Sequence, residues 1–158
     1  MNNSPTRTDL IKLNSCPFKN EAQGRYLKVL FVCSAGLLRS PTAAKVAGEF
    51  NINARAAGSL PYLALIPVSA NLVVWADKLV FVNKENFEQT LEIFKEQPDF
   101  IEAIENKSIV WNIEDYYDYN SRALQTVLRD KIREELLPVN YSSRIERDLY
   151  QGKTAWDL

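Results

Sequence analysis

A parallel α/β sheet flanked by helices is the fold the sequence predicts, and three observations predict it. Short apolar, β-rich segments alternate along the chain with segments of helical periodicity. The first of them, Lys28–Val32, is apolar without interruption after its lysine, as a strand buried on both faces should be. It runs directly into Cys33-Ser34-Ala35-Gly36-Leu37-Leu38-Arg39-Ser40-Pro41, a short loop followed by a helical pattern. Length and composition agree. A chain of 158 residues, 46% apolar and 25% charged, suits one domain with a sizeable core.

The elements follow in order. After the strand at 28–32, the segment 41–50 reads as a helix, with Pro41 in a first turn that needs no N–H. A second strand covers 52–57 and stops at Gly58. Residues 69–75 read as a helix, 78–82 as a third strand, and 86–97 as a helix with Phe87, Leu91 and Phe94 at helical spacing. A short helix at 100–106 precedes a fourth strand at 108–113. The last helix, 121–137, carries Leu124, Val127, Leu128, Ile132 and Leu136 on one face and ends at Pro138. The domain therefore spans 27–138. Residues 1–26 read as a polar extension and 139–158 as a C-terminal arm.

Ligands of such sheets bind at the carboxyl ends of the strands, where both Cys33 and Asp115 fall. The stretch from Cys33 to Pro41 offers three things at once. Loop N–H groups and a helix N-terminus make a cradle for an anion. Arg39 supplies a planar, permanently charged fork for two phosphate oxygens. The same field favours the thiolate of Cys33, its nucleophilic form. The bare spacing Cys-x5-Arg is weak, and a buried inert thiol beside a solvated arginine is the plainer alternative. The strand before, the Ser-Pro after and the helix beyond raise its specificity.

Composition removes several rival chemistries. Histidine is absent, which excludes Ser-His-Asp and Cys-His catalysis and histidine-based metal sites. Two cysteines cannot fill a structural zinc site or staple a disulfide scaffold, and they suit a reducing cytoplasm. Twenty acidic against 19 basic residues give no global attraction to nucleic acid or anionic membrane. No apolar run approaches a membrane span, and residues 1–23 lack the apolar core of a secretory signal.

The segment from Lys28 to Ala44 resembles the signature of the low-molecular-weight protein tyrosine phosphatases, with the Cys-Ser loop start of their small bacterial and viral relatives. Ala56-Ala57-Gly58-Ser59 resembles that family's Ser-Ala-Gly-Thr segment. Trp75 to Val82 resembles its Ala-Asp segment with the apolar strand that follows. Asp115-Tyr116-Tyr117 resembles its Asp-Pro-Tyr-Tyr acid loop. The resemblance covers roughly 28–136 and implies a four-stranded parallel sheet, a phosphocysteine mechanism without cofactor or metal, and a phosphotyrosine protein or small aryl phosphate as substrate.

The resemblance also implies roles. Cys33 is the nucleophile, Arg39 binds the equatorial oxygens, and Asp115 is the acid and then the base. Ser34, Ala35, Gly36, Leu37 and Leu38 form the cradle, and Ser40 donates to the sulfur. Tyr116 and Tyr117 wall the slot, and Tyr62 falls near a variable aromatic at the rim. Each has a plainer alternative: an N-cap for Ser40, a cap for Asp115, ordinary exposure for the tyrosines. Asp118 is a rival acid. Three departures stand out. Gly36 replaces an asparagine; it keeps a left-handed backbone but loses side-chain bracing. Leu38 stands where a second cysteine is common, which leaves Cys33 open to overoxidation unless Cys16 reaches it. Tyr116 replaces proline. A non-catalytic phosphate- or phosphoprotein-binding module is the rival reading. Arsenate reduction is less favoured, because no cysteine follows Cys33.

Overall fold

The computed structural model describes residues 26–137. The expectations for the N-terminal extension, for Cys16 and for the C-terminal arm lie outside these residues. Among the described residues nine elements follow one another: β1 (Lys28–Cys33), α1 (Arg39–Gly48), β2 (Asn53–Gly58), α2 (Ala70–Trp75), β3 (Lys78–Phe81), α3 (Lys84–Ile93), α4 (Pro98–Lys107), β4 (Ser108–Val110) and α5 (Arg122–Glu135). The four strands form one parallel sheet in the order β2-β1-β3-β4.

The apolar run at 28–32 becomes a central strand for a simple reason. Every residue of β1 is buried, and β1 is paired on both sides. Its side chains alternate between two cores. Val29 and Phe31 join Ala43, Val46, Leu124, Leu128, Ile132 and Trp111 under α1 and α5. Leu30 and Val32 join Val73, Phe81, Phe94, Phe100 and Ile104 under α2 and α4. Each fully buried Val, Leu, Ile or Phe side chain contributes about 1.5–3 kcal/mol, so the two layers hold the sheet edge rigidly.

Caps fix the helix starts. The side chains of Ser69, Asn83 and Ser121 accept from Leu72 N, Asn86 N and Leu124 N, and Pro98 opens α4. Serines expected as first helical residues are thus the caps one position earlier. β4 is shorter than the expected 108–113, yet its pairing with β3 continues. Trp111 N donates to Phe81 O and Ile113 N to Val82 O. That continuation carries the chain to the edge where β1 ends. No helix among the described residues is long and apolar enough to cross a membrane.

Candidate active site at the carboxyl edge of the sheet

β1 ends at Cys33, and the chain turns through residues 34–38 into α1. The turn needs one residue in the left-handed region, and Gly36 supplies it with φ +70°. A Cβ there would sit 2.9 Å from both Ala57 C and Gly58 N. Gly58 is as confined, since its Cβ would lie 2.7 Å from Ser34 O and 2.8 Å from Ala35 C. The loop therefore rests directly on the end of β2, backbone against backbone. Ser59 N and Leu60 N bind it there, donating to Cys33 O at 2.8 Å and Ser34 O at 3.1 Å.

This packing points donors at the sulfur. Gly36 N–H donates to Cys33 Sγ at 3.2 Å, and Ser40 Oγ lies 3.1 Å from it. The thiol is only 3% exposed. Ser40 is also 3.3 Å from Ala57 O and has a single proton to give. With a protonated Cys33, S–H donates to Ser40 and Ser40 to Ala57. With a thiolate, the hydroxyl turns and donates to sulfur. Ser40 is not the N-cap, which corrects one alternative. The helix begins at Arg39, and Leu38 stands at the cap position without a side-chain bond. Thr42 Oγ1 instead donates to Leu38 O at 2.8 Å.

Arg39 is buried and its guanidinium is fixed by the segment that carries Ile113 and Asp115. Nη1 donates to Ile113 O at 3.1 Å, and Nε pairs with Asp115 Oδ1 at 3.2 Å. Two of its five N–H groups are so used, which leaves three for an anion. The Asp115 side chain is 75% exposed. It caps no helix; its partner is the arginine. The segment that carries it is tied to α1, because Asn120 N donates to Thr42 Oγ1 at 3.0 Å, and Asn120 holds φ +53°. The Tyr116 and Tyr117 rings lie 4.3 Å apart, and the Tyr116 hydroxyl donates to that of Tyr117. Tyr117 packs on the core beneath α5, whereas Tyr116 is exposed. Leu38 packs on the same core, and Leu37 is exposed at the loop crest. Tyr62, 79% exposed, belongs to an apolar surface loop with Leu63, Leu65 and Ile66. That loop returns to β2 through Gly58 N, which donates to Ile66 O.

The bracing expected to be lost at Gly36 is supplied by other residues, which the sequence reading did not single out. Asn86, fully buried in α3, donates through Nδ2 to Ser34 Oγ at 3.0 Å and to Ser59 Oγ at 3.2 Å. Ser59 Oγ is 2.6 Å from Gln89 Oε1, to which it donates. No local signal in the sequence marks Asn86, because its burial depends on partners far away along the chain. Among the described residues no group of three or more histidine, cysteine or acidic side chains could hold a metal.

This architecture has solved counterparts. YwlE arginine phosphatase from Geobacillus stearothermophilus superposes with a TM-score of 0.54 at 14% identity, over 78% of this chain and 96% of its own. Wzb of Vibrio vulnificus, solved in complex with benzylphosphonate, gives 0.53 at 14% identity over 70% and 97%. The tyrosine phosphatase Wzb from Escherichia coli K30, in complex with phosphate, gives 0.50 at 17% over 70% and 96%. The fold is that of the low-molecular-weight protein tyrosine phosphatases. No protein-family model matches the sequence, and no curated protein does. At these identities the likeness is one of fold.

Proposed function

We propose that the protein is a cysteine-dependent phosphatase that hydrolyses phosphotyrosine or another aryl phosphate monoester through a phosphocysteine. One observation carries the reading. At the end of a buried central strand, Cys33 Sγ is met by the Gly36 N–H and the Ser40 hydroxyl. The next side chain along, Arg39, is an immobilised guanidinium bound to the acid of a distant loop. A thiol that merely fills a core needs none of these partners.

The chemistry follows from the groups present. The Cys33 thiolate attacks phosphorus, the P–S bond forms, and the P–O bond to the aryl group breaks. Arg39 and the loop N–H groups hold the equatorial oxygens as charge redistributes over them. Asp115 lets go of Arg39 Nε as the phosphoryl group takes that donor, takes up a proton from solvent once its cationic partner is lost, and gives that proton to the departing phenolate. As a carboxylate it then takes a proton from the water that attacks phosphorus. The P–S bond breaks, phosphate leaves, and Ser40 turns to donate to the restored thiolate. The paired, tilted rings of Tyr116 and Tyr117 offer an aromatic wall beside Asp115, which favours an aryl substrate. The thiol requires a reducing compartment, and we place the protein in the cytoplasm, with a phosphotyrosine protein or a small aryl phosphate as its partner.

The test is hydrolysis of phenyl phosphate and phosphotyrosine by wild type and Cys33→Ser in reducing, metal-free buffer, with phosphoarginine as the competing substrate. Turnover of the aryl esters that disappears in Cys33→Ser supports the reading. Preference for phosphoarginine would reassign the substrate, and tight phosphate binding without turnover would favour a binding module.

A further inference from the structure

We propose that Asn86 is a positioning residue of the phosphate loop, acting through Ser34; the inference rests on that loop being the oxyanion site. The loop cannot brace itself. Position 36 has no room for a side chain, because a Cβ would meet the backbone of Ala57 and Gly58. Glycine at a left-handed φ is also the residue with most backbone freedom to lose. Rigidity must come from outside, and α3 delivers it. Asn86 lies in the first turn of α3, with its N–H bound to the cap Asn83, so its side chain is fixed at the root. Its amide nitrogen divides two protons between Ser34 and Ser59. Ser59 is anchored twice more. Its N–H donates to Cys33 O and its hydroxyl to Gln89, whose own amide donates to Glu85.

One atom distinguishes this arrangement from ordinary packing. Asn86 Oδ1 is buried without a hydrogen-bond partner. An orphaned buried carbonyl disfavours folding and offsets part of what the two bonds from the amide nitrogen contribute. What the amide supplies is its nitrogen, which ties the second residue of the loop to a helix. A loop so tied presents the Gly36 N–H to sulfur and oxyanion without reorganising.

The experiment separates stability from function. Asn86→Leu, Ser34→Ala and the double variant are compared with wild type by thermal unfolding, by calorimetric titration with tungstate, a tetrahedral oxyanion, and by kcat and KM on phenyl phosphate. Asn86→Leu is expected to remain folded at the assay temperature while binding tungstate roughly 10-fold more weakly. Ser34→Ala should lose a similar factor, and the double variant no more than Asn86→Leu alone, in which the Asn86–Ser34 bond is already gone. Asn86→Gln, which keeps the amide on a longer arm, should recover part of the loss. Tungstate affinity within twofold of wild type in Asn86→Leu overturns the proposal, as do losses that multiply in the double variant. Should Asn86→Leu fail to fold, the Ser34→Ala affinity decides alone, and an unchanged value overturns it. A wild type that binds tungstate but turns nothing over would refute the phosphatase reading and leave this one standing. A wild type that binds no oxyanion would refute both.

Discussion

Replacing Gly36 by alanine is the sharpest perturbation of the loop, because its consequence is computable from two observations. The residue holds φ +70°, where an L side chain is strained by about 1–2 kcal/mol. The added Cβ would stand 2.9 Å from Ala57 C and from Gly58 N, and these are backbone atoms of a sheet strand that cannot swing aside. Overpacking of that kind adds about 1–3 kcal/mol, so the total is about 2–5 kcal/mol. Against the ~5–15 kcal/mol typical of a domain this is a large fraction. Urea unfolding should show the midpoint falling with little change in slope. If the chain relieves the clash by lifting the loop off β2, stability recovers but the Gly36 N–H leaves Cys33 Sγ, and tungstate binding fails. Gly48→Ala is the control: it ends α1 with nothing within 4 Å of its Cβ and should stabilise by about 0.4–1 kcal/mol. A Gly36→Ala protein within about 0.5 kcal/mol of wild type that binds tungstate normally would refute the reasoning.

Arg39→Lys loses the planar fork and both anchors to the acid loop, so kcat/KM should fall roughly 10²–10³-fold; near-normal kinetics would remove Arg39 from the site. Asp115→Asn should slow phenyl phosphate or phosphotyrosine by roughly 10²–10⁴-fold and an activated nitrophenyl ester less, provided phosphoenzyme breakdown is not limiting. The same variant should bind tungstate more tightly by calorimetry, because no carboxylate then competes for Arg39 Nε. Asp118→Asn should do little, and the reverse order would make Asp118 the acid. Far from the site, Arg129 grips Glu49 with two bonds of 2.8 Å and holds its carboxyl below the ordinary range, chiefly through that hydrogen bonding. A lowered carboxyl pKa stabilises the fold above the ordinary value, and the benefit is lost as pH falls through the folded one. Arg129→Ala should therefore cost about 0.2–1 kcal/mol at neutral pH, a discount for solvent screening included, and nothing in strong acid. A cost that persists undiminished in acid would show that the loss is one of packing.

The elements were legible because each is encoded locally. An unbroken apolar run specifies β1, and Leu124, Leu128 and Ile132 at four-residue spacing specify the buried face of α5. The left-handed position was legible too, since glycine stands where the turn requires it. What escaped were pairings between residues distant in sequence. Periodicity put Phe87, Leu91 and Phe94 on the inner face of α3. Phe94 is indeed buried, but within α3 the fully enclosed residues are Asn86 and Thr90. Burial of an amide depends on partners 52 and 27 positions away, which no window along the chain contains. Ser40 reads as a cap because Ser-Pro opens so many helices. The loop instead carries the helix back to Arg39, and the serine faces the sulfur. The sequence brought Arg39 and Asp115 to one edge of the sheet, but not their contact. That contact depends on Ile113, whose pairing with Val82 continues the sheet and whose carbonyl binds the arginine.

Covalent catalysis by Cys33 leaves an intermediate that can be captured. Wild type mixed with excess nitrophenyl phosphate and quenched in acid within the first turnovers should carry one phosphoryl group. Peptide mass spectrometry should place it on Cys33 and on no serine, threonine, tyrosine or arginine. Turnover with Cys33 unmodified throughout, or hydrolysis that survives Cys33→Ser, would contradict the account.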